Sequence, residues 1–173
     1  MDEIAEAAGV AKGLVYYHFE NKRGIYTAVI QAMAEDVMSR TRPDPSLPPY
    51  ERTVAVIESF IRWAVEVERF TLAFSSGPGA DPVVSRVIDD TMDHHVDAML
   101  AGMAEAAKEL GVEDKSDSPA MRYAIKGWVA FVWTATMDWV SAHDIEEQVL
   151  LDLCVHALGG SIAAGRASGS VRA

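Results

Sequence analysis

Cysteine occurs once in the 173 residues, as Cys154, which excludes an internal disulfide and fits a reducing compartment. Its expected place is that of a small buried apolar side chain. No apolar run is long enough to span a bilayer, and no basic and apolar leader precedes a small-residue cleavage site, so a cytoplasmic chain without a membrane partner is expected. Basic residues are outnumbered, with 15 Lys and Arg against 26 Asp and Glu and a formal net charge of -11. That total argues against generic affinity for phosphates. Strict strand-like alternation is missing, as are a glycine-rich phosphate loop, zinc-ligand spacing and a Ser or Cys with a placed base. The expected fold is all-α, and neither an enzyme nor a cofactor is expected.

What is present is helical periodicity throughout. Asp2 to Ala8 reads as a short helix closed by Gly9, and Lys12 to His18 as a second. Asn21 caps a longer helix from Lys22 to about Arg40, which runs into four prolines, Pro43, Pro45, Pro48 and Pro49. A helix from Tyr50 to about Glu68 carries two apolar stripes and belongs inside a bundle. Asp81-Pro82 and Ser118-Pro119 are start signals for helices reaching Leu110 and about Ala142. Asp144 and Glu147 have capping-box spacing ahead of a last helix to about Gly165. The organisation expected is a head at 1–40, a proline-rich linker at 41–49, a bundle at 50–166 and a flexible tail at 167–173.

The charge is unevenly placed. Between Lys12 and Arg23 stand three bases and one acid, whereas from Pro43 onward there are 20 acids and 10 bases. A locally basic head on an acidic body is compatible with a DNA-binding module attached to something else. Two short helices around the turn Gly9-Val10-Ala11 have the layout of a helix-turn-helix, with Ile4, Ala8, Val10, Val15 and Phe19 spaced as its apolar seam. Outward positions then fall to Lys12, Gly13, Leu14, Tyr16, Tyr17 and His18. Gly13 allows close approach to base edges, Leu14 can meet a thymine methyl, and Lys12 can reach guanine acceptors or a phosphate. The tyrosines and His18 carry donors for phosphate oxygens, and Lys22 starts a helix whose free N–H groups also favour a phosphate.

The stretch DEIAEAAGVAKGLVYYHFENKRGIYTAVI resembles the DNA-binding domain of the tetracycline-repressor (TetR/AcrR) family: a turn after AxxAGV, an aromatic run ending in Phe19, then Asn21-Lys22 opening the connecting helix. The resemblance covers about 40 residues closely and the remainder only in layout. It implies that Ala11, Lys12, Gly13, Leu14, Tyr16, Tyr17, His18 and Lys22 contact double-stranded operator DNA. Ala11 stands where serine or threonine is common and lacks their hydroxyl. The family carries a further helix before this unit. The chain starts at Met1 without it, and Glu3 has the spacing of a capping-box acid whose partner would precede Met1. A natural product beginning upstream, or a fragment, is therefore expected.

The resemblance also implies a body that binds an effector and pairs with a second copy. On the last helix Leu150, Leu153, Cys154, Ala157, Leu158 and Ile162, beside small residues, suit a homodimer interface, although the same face could pack within the chain. Phe60, Trp63, Phe70, Phe74, Met92, His95, Met99, Met103, Trp128, Phe131 and Trp133 are the candidate pocket for a small apolar or aromatic effector; each could equally be plain core. Asp90 with His94, Asp93 with Asp97, and Asp152 with His156 have helical spacing that a metal could use. Solvated side chains explain the same letters, and no metal is assigned. The expectation is a repressor released when effector binding shifts the helix Lys22 to Arg40, a gating direction implied by the family. A helical scaffold whose head does not engage DNA is the rival.

Overall fold

A computed structural model describes residues 2–68 and 82–167, and among these every regular element is an α-helix. Helix α1 spans Asp2–Ala8, α2 Lys12–His18, α3 Lys22–Arg40, α4 Pro49–Glu66, α5 Pro82–Leu110, α6 Pro119–Ala142 and α7 Glu147–Ala167.

The termini follow from local chemistry. Gly9 takes φ 65° after α1, and the Val10 N–H reaches back to the Ala5 carbonyl at 3.0 Å, so the missing Cβ is what lets the chain reverse. Gly111 repeats this after α5, with φ 63° and Val112 N–H on the Ala107 carbonyl. The Asn21 side chain accepts from Gly24 N–H at 3.0 Å and Ser118 from Met121 N–H at 3.1 Å, each filling one of the unmet donors of a first turn. Helix α7 begins at Glu147 instead of beside Asp144, so the capping-box expectation gives way. The Trp139 indole N–H holds the Ile145 carbonyl at 2.8 Å, and the Glu146 carbonyl takes the Leu150 N–H. The connecting turn is thereby committed past Asp144 before the helix starts.

Ile57, Ile61 and Ala64 of α4, Val96 of α5, Met121, Ile125 and Val140 of α6, and Leu150 and Cys154 of α7 form the innermost layer. Val37 brings α3 onto it. Helices α6 and α7, joined by a four-residue turn, run against each other as a hairpin. Helix α5 lies over α6, and α3 lies across α5 and α4. By length and composition α7 is long and apolar enough to cross a membrane, with a mean hydropathy of 1.3 over its best window. This corrects the expectation that no run is. The physical reason is that α7 has two apolar sides: one in the core, and one facing outward at Val149 and Leu153.

Candidate functional site

Two surfaces carry the residues singled out by sequence. On the head, Ala5 and Val15 are buried while Ile4 and Phe19 are half-buried, so a small seam forms between α1 and α2. Ala8 and Val10 remain exposed. Lys12, Gly13, Leu14, Tyr16, Tyr17 and His18 all lie on the exposed side of α2. Tyr17 is 82% exposed, and the His18 ring meets it edge-on at 5.1 Å. A Cβ added to Gly13 would meet nothing within 4 Å, so the glycine relieves no crowding inside the chain and leaves that face open to approach. Lys12 Nζ bonds Asp2 Oδ2 at 2.6 Å and sits 5.9 Å from the Tyr16 ring centroid. This bond holds the Asp2 carboxyl below, and the Lys12 ammonium above, their ordinary ranges. Ala11 is an N-cap of extended conformation without a capping side chain, and Lys22 opens α3 beside the Asn21 cap.

In the body, α4, α5, α6 and α7, with the end of α3, line a partly open cavity of about 480 Å³ whose lining is mainly apolar. Phe60, Met92, His95, Met99, Met103, Trp128 and Trp133 line it. Trp63 does not: it is buried behind Phe60, stacked at 5.8 Å, and its indole N–H donates to Asp36 Oδ2 at 3.1 Å. Phe131 is 41% exposed, because it shares the outward side of α6 with Tyr123 and Gly127 at four-residue intervals. Phe70 and Phe74 lie outside the described residues. Sequence reasoning missed the polar part of the wall, which includes Thr41, Arg52, Thr91, Glu113, Lys115 and Arg166. Only Thr41 gave a signal, as the residue between α3 and the prolines.

Thr41 and His95 join this wall to α3. Thr41 Oγ1 lies 2.7 Å from the Val37 carbonyl and 2.8 Å from His95 Nε2, while His95 Nδ1 lies 2.7 Å from the Thr91 carbonyl. Burial is the main cause that lowers the His95 pKa below 6.5. Next to this link Arg40 bonds both Asp36 of its own helix and Glu66 of α4. The two carboxylates, Glu66 foremost, hold the guanidinium charged.

The expected interface residues separate into two stripes. Leu150, Cys154 and Leu158, at four-residue spacing, are buried within the chain's own core, so they are removed from any surface a partner could meet. Ile162 continues that spacing and lines the cavity, whereas Leu153 is 51% exposed and Ala157 half-buried. Val149, Leu153 and Gly160 of α7 are exposed, as are Tyr123 and Phe131 of α6. The two stripes are offset by one residue, and the sequence reading merged them.

Among the described residues no three His, Cys, Asp or Glu side chains gather as metal ligands. Asp93 and Asp97 instead pair with Lys126 at 2.8 Å and Arg122 at 2.7 Å, tying α5 to α6. His156 Nδ1 meets the backbone carbonyl of Asp152, whose carboxylate accepts from Gln148.

An exposed two-helix head and a bundle around an apolar cavity, tied together through α3, define a class of helical protein. Comparison with known proteins narrows that class. Residues 1–29 match the family model described as bacterial regulatory proteins, tetR family. The HTH-type transcriptional activator FasR of Mycolicibacterium smegmatis is 28% identical over 103 residues, 58% of this chain and 47% of that protein. The chain thus spans about half the length of the curated relative it matches. A crystal structure of a tetR-family transcriptional regulator from Streptomyces coelicolor superposes with a TM-score of 0.76 at 22% identity, covering 96% of this chain and 72% of that one. The fatty acid degradation regulator FadR from Bacillus halodurans gives 0.65 at 16% identity, covering 99% and 84%. The fold is the all-α fold of tetR-family regulators, and residues 1–29 are similar to their family model.

Proposed function

We propose that this chain is a cytoplasmic transcriptional regulator of the tetR type, a homodimer that holds two α2 helices on a palindromic DNA operator and leaves it when a small apolar or aromatic effector fills the bundle cavity. The observation that carries the reading is the hydrogen bond between His95, in the cavity wall, and Thr41, at the end of α3. It gives the occupant of the cavity a direct grip on the helix that leads to the head. An effector that changes the bonding of His95 changes the angle at which α3 leaves the bundle, and with it the separation of two heads that must reach grooves one turn apart, about 34–36 Å.

The head residues Ala11, Lys12, Gly13, Leu14, Tyr16, Tyr17, His18 and Lys22 are the proposed DNA contacts; their exposure on one side of the head supports this. Lys12 exchanges its bond to Asp2 for one to DNA, and both partners are more than half exposed, so the exchange breaks no buried pair. The outward face around Leu153 and Phe131 is the proposed dimer contact. Its support is an apolar, small-residue surface left uncovered along two packed helices.

Fluorescence anisotropy with DNA flanking the gene, across a salt series, tests the proposal on this chain. Saturable, sequence-selective binding whose affinity falls steeply with salt is expected. Binding that does not distinguish flanking from random DNA, or that ignores salt, points to a helical scaffold and sinks the regulator reading.

A further inference from the structure

The wall between His95 and α3 is short of one proton. A backbone carbonyl only accepts, so the 2.7 Å contact with the Thr91 carbonyl puts a hydrogen on His95 Nδ1. Thr41 Oγ1 has a single hydroxyl hydrogen for two contacts, the Val37 carbonyl at 2.7 Å and His95 Nε2 at 2.8 Å. One of these two contacts then has no hydrogen while the imidazole is neutral. Only the imidazolium fills all three.

The surroundings oppose that charge. Desolvation lowers the His95 pKa, the bond to the Thr91 carbonyl offsets part of it, and His94, whose ring lies 6.0 Å away, pushes in the same direction as burial. The charged groups lining the cavity are Arg52 from α4, Arg166 from α7, and Glu113, Asp114 and Lys115 from the segment after α5; its lining residues from α6 carry no titratable group, and α3 meets His95 with Thr41. Both acids are engaged, Glu113 with Lys115 at 3.4 Å and Asp114 with the Ser116 N–H at 2.8 Å. The lining therefore has three cations against two carboxylates, with Lys115 paired to Glu113 and Arg52 held by the Pro45 and Leu47 carbonyls, and a histidine whose hydrogen-bond frame is complete only when charged.

We infer that the cavity selects a molecule with an apolar body and an anionic end group, and that its binding is accompanied by uptake of one proton on His95 Nε2. The inference rests on the reading of the cavity as the effector site. The proton comes from solvent and binds the Nε2 lone pair. Nε2–H then donates to Thr41 Oγ1, Thr41 O–H donates to the Val37 carbonyl, and the ligand's negative charge balances the imidazolium. Binding raises the His95 pKa, so affinity for an acid that stays ionised rises as pH falls through the window between the free and bound values. The completed relay fastens the end of α3 to α5, which makes it the signal as well as the site.

Isothermal titration calorimetry of the full chain at pH 7, in phosphate and in Tris, reads the proton directly because the two buffers differ in ionisation enthalpy. The probes are decanoic acid against 1-decanol and 2-naphthoic acid against 2-naphthol. An acid of either pair is expected to bind with uptake of about one proton, and its alcohol with none. His95→Gln should remove the uptake and weaken acid binding about tenfold more than alcohol binding. Thr41→Val, which keeps the imidazole and deletes the relay oxygen, should lower the uptake. Acid binding without uptake, uptake that survives His95→Gln, or binding of the alcohols alone overturns the inference and leaves the effector cavity standing. Binding of none of the four probes overturns both.

Discussion

Gly165 sits where α7 comes closest to the first turn of α6, and a single methyl group there is a measurable probe of the hairpin. A Cβ built on Gly165 would lie 2.8 Å from Met121 Sδ, 3.0 Å from Cε and 3.1 Å from Cα. The thioether can swing away, but the Cα belongs to the helix backbone, so α6 and α7 must part by a few tenths of an ångström or strain. Overpacking of this kind costs about 1–3 kcal/mol, and removing a helical glycine returns about 0.5–1 kcal/mol. Gly165→Ala should therefore destabilise the chain by up to about 2.5 kcal/mol. With roughly 2–4 °C per kcal/mol for a domain of this size, Tm should fall by up to about 10 °C. Gly102→Ala is the matched control: it is also helical, but its Cβ would meet nothing within 4 Å, and it should gain the propensity alone. Thermal unfolding followed by circular dichroism compares the two. If Gly165→Ala raises Tm as Gly102→Ala does, the close approach of α7 to Met121 is not present in solution and the reasoning fails.

Lys22→Ala is expected to weaken binding to all DNA sequences about equally and to lower the salt slope by about one, measured by anisotropy across a salt series; a sequence-selective loss would mean that Lys22 reads bases. Leu153→Asp places a charge in the outward face of α7 and should convert the proposed dimer to the 18.8 kDa monomer in light scattering, with helix content unchanged. Thr136 is fully buried and its Oγ1 has no hydrogen-bond partner among the described residues. Thr136→Val should stabilise by about 1 kcal/mol in urea unfolding, and a loss would reveal a partner for the hydroxyl. Burial pushes the Cys154 thiol up to about 11. The folded state then holds a proton that the unfolded chain releases earlier, so stability should fall between about pH 9 and 11, and Cys154→Ala should flatten that fall in denaturation curves taken across the range.

The punctuation of the fold was legible because it is local. Gly9, Asn21, Ser118 and the four linker prolines each act through their own backbone or a neighbour three residues away, and the helices begin or end beside them. Asp144 misled because a tertiary bond, from the Trp139 indole to the Ile145 carbonyl, decided where the next helix starts. Side-chain direction was legible on α2, where one short helix has one buried side. On α4, α6 and α7 the apolar residues wrap round the helix, and periodicity cannot say which stripe meets core, cavity or solvent. Phe60, Trp63 and Phe131 have similar chemistry and ended in those three different places: the cavity wall, the core behind it and the surface. The Thr41–His95 bond was illegible for a different reason. It joins positions 54 apart in sequence, and neither residue type announces the other.

The proposed coupling also has a geometric reason to work. The polar ties that fasten α3 to the bundle, from Asp36 to Trp63, from Arg40 to Glu66 and from Thr41 to His95, cluster in the last turn and the cap of that helix. The helix has 19 residues, so at 1.5 Å per residue its head end stands roughly 28 Å from that cluster. A tilt of about 5° at the anchored end then moves the head by roughly 2.5 Å, several times the tolerance of a hydrogen bond to a base or phosphate. Two heads in a dimer move symmetrically, and the mismatch doubles across the operator. A change at one half-buried histidine can thus be amplified mechanically, with no contact between effector and DNA. Stiffness between anchor and head is what the lever requires, so Gly24 and the Asn21 cap at its far end become part of the device. Asn21→Ala, which removes the capping acceptor of the Gly24 N–H, costs about 1 kcal/mol in the first turn of α3. It should blunt the response of DNA binding to effector more than it weakens effector binding itself.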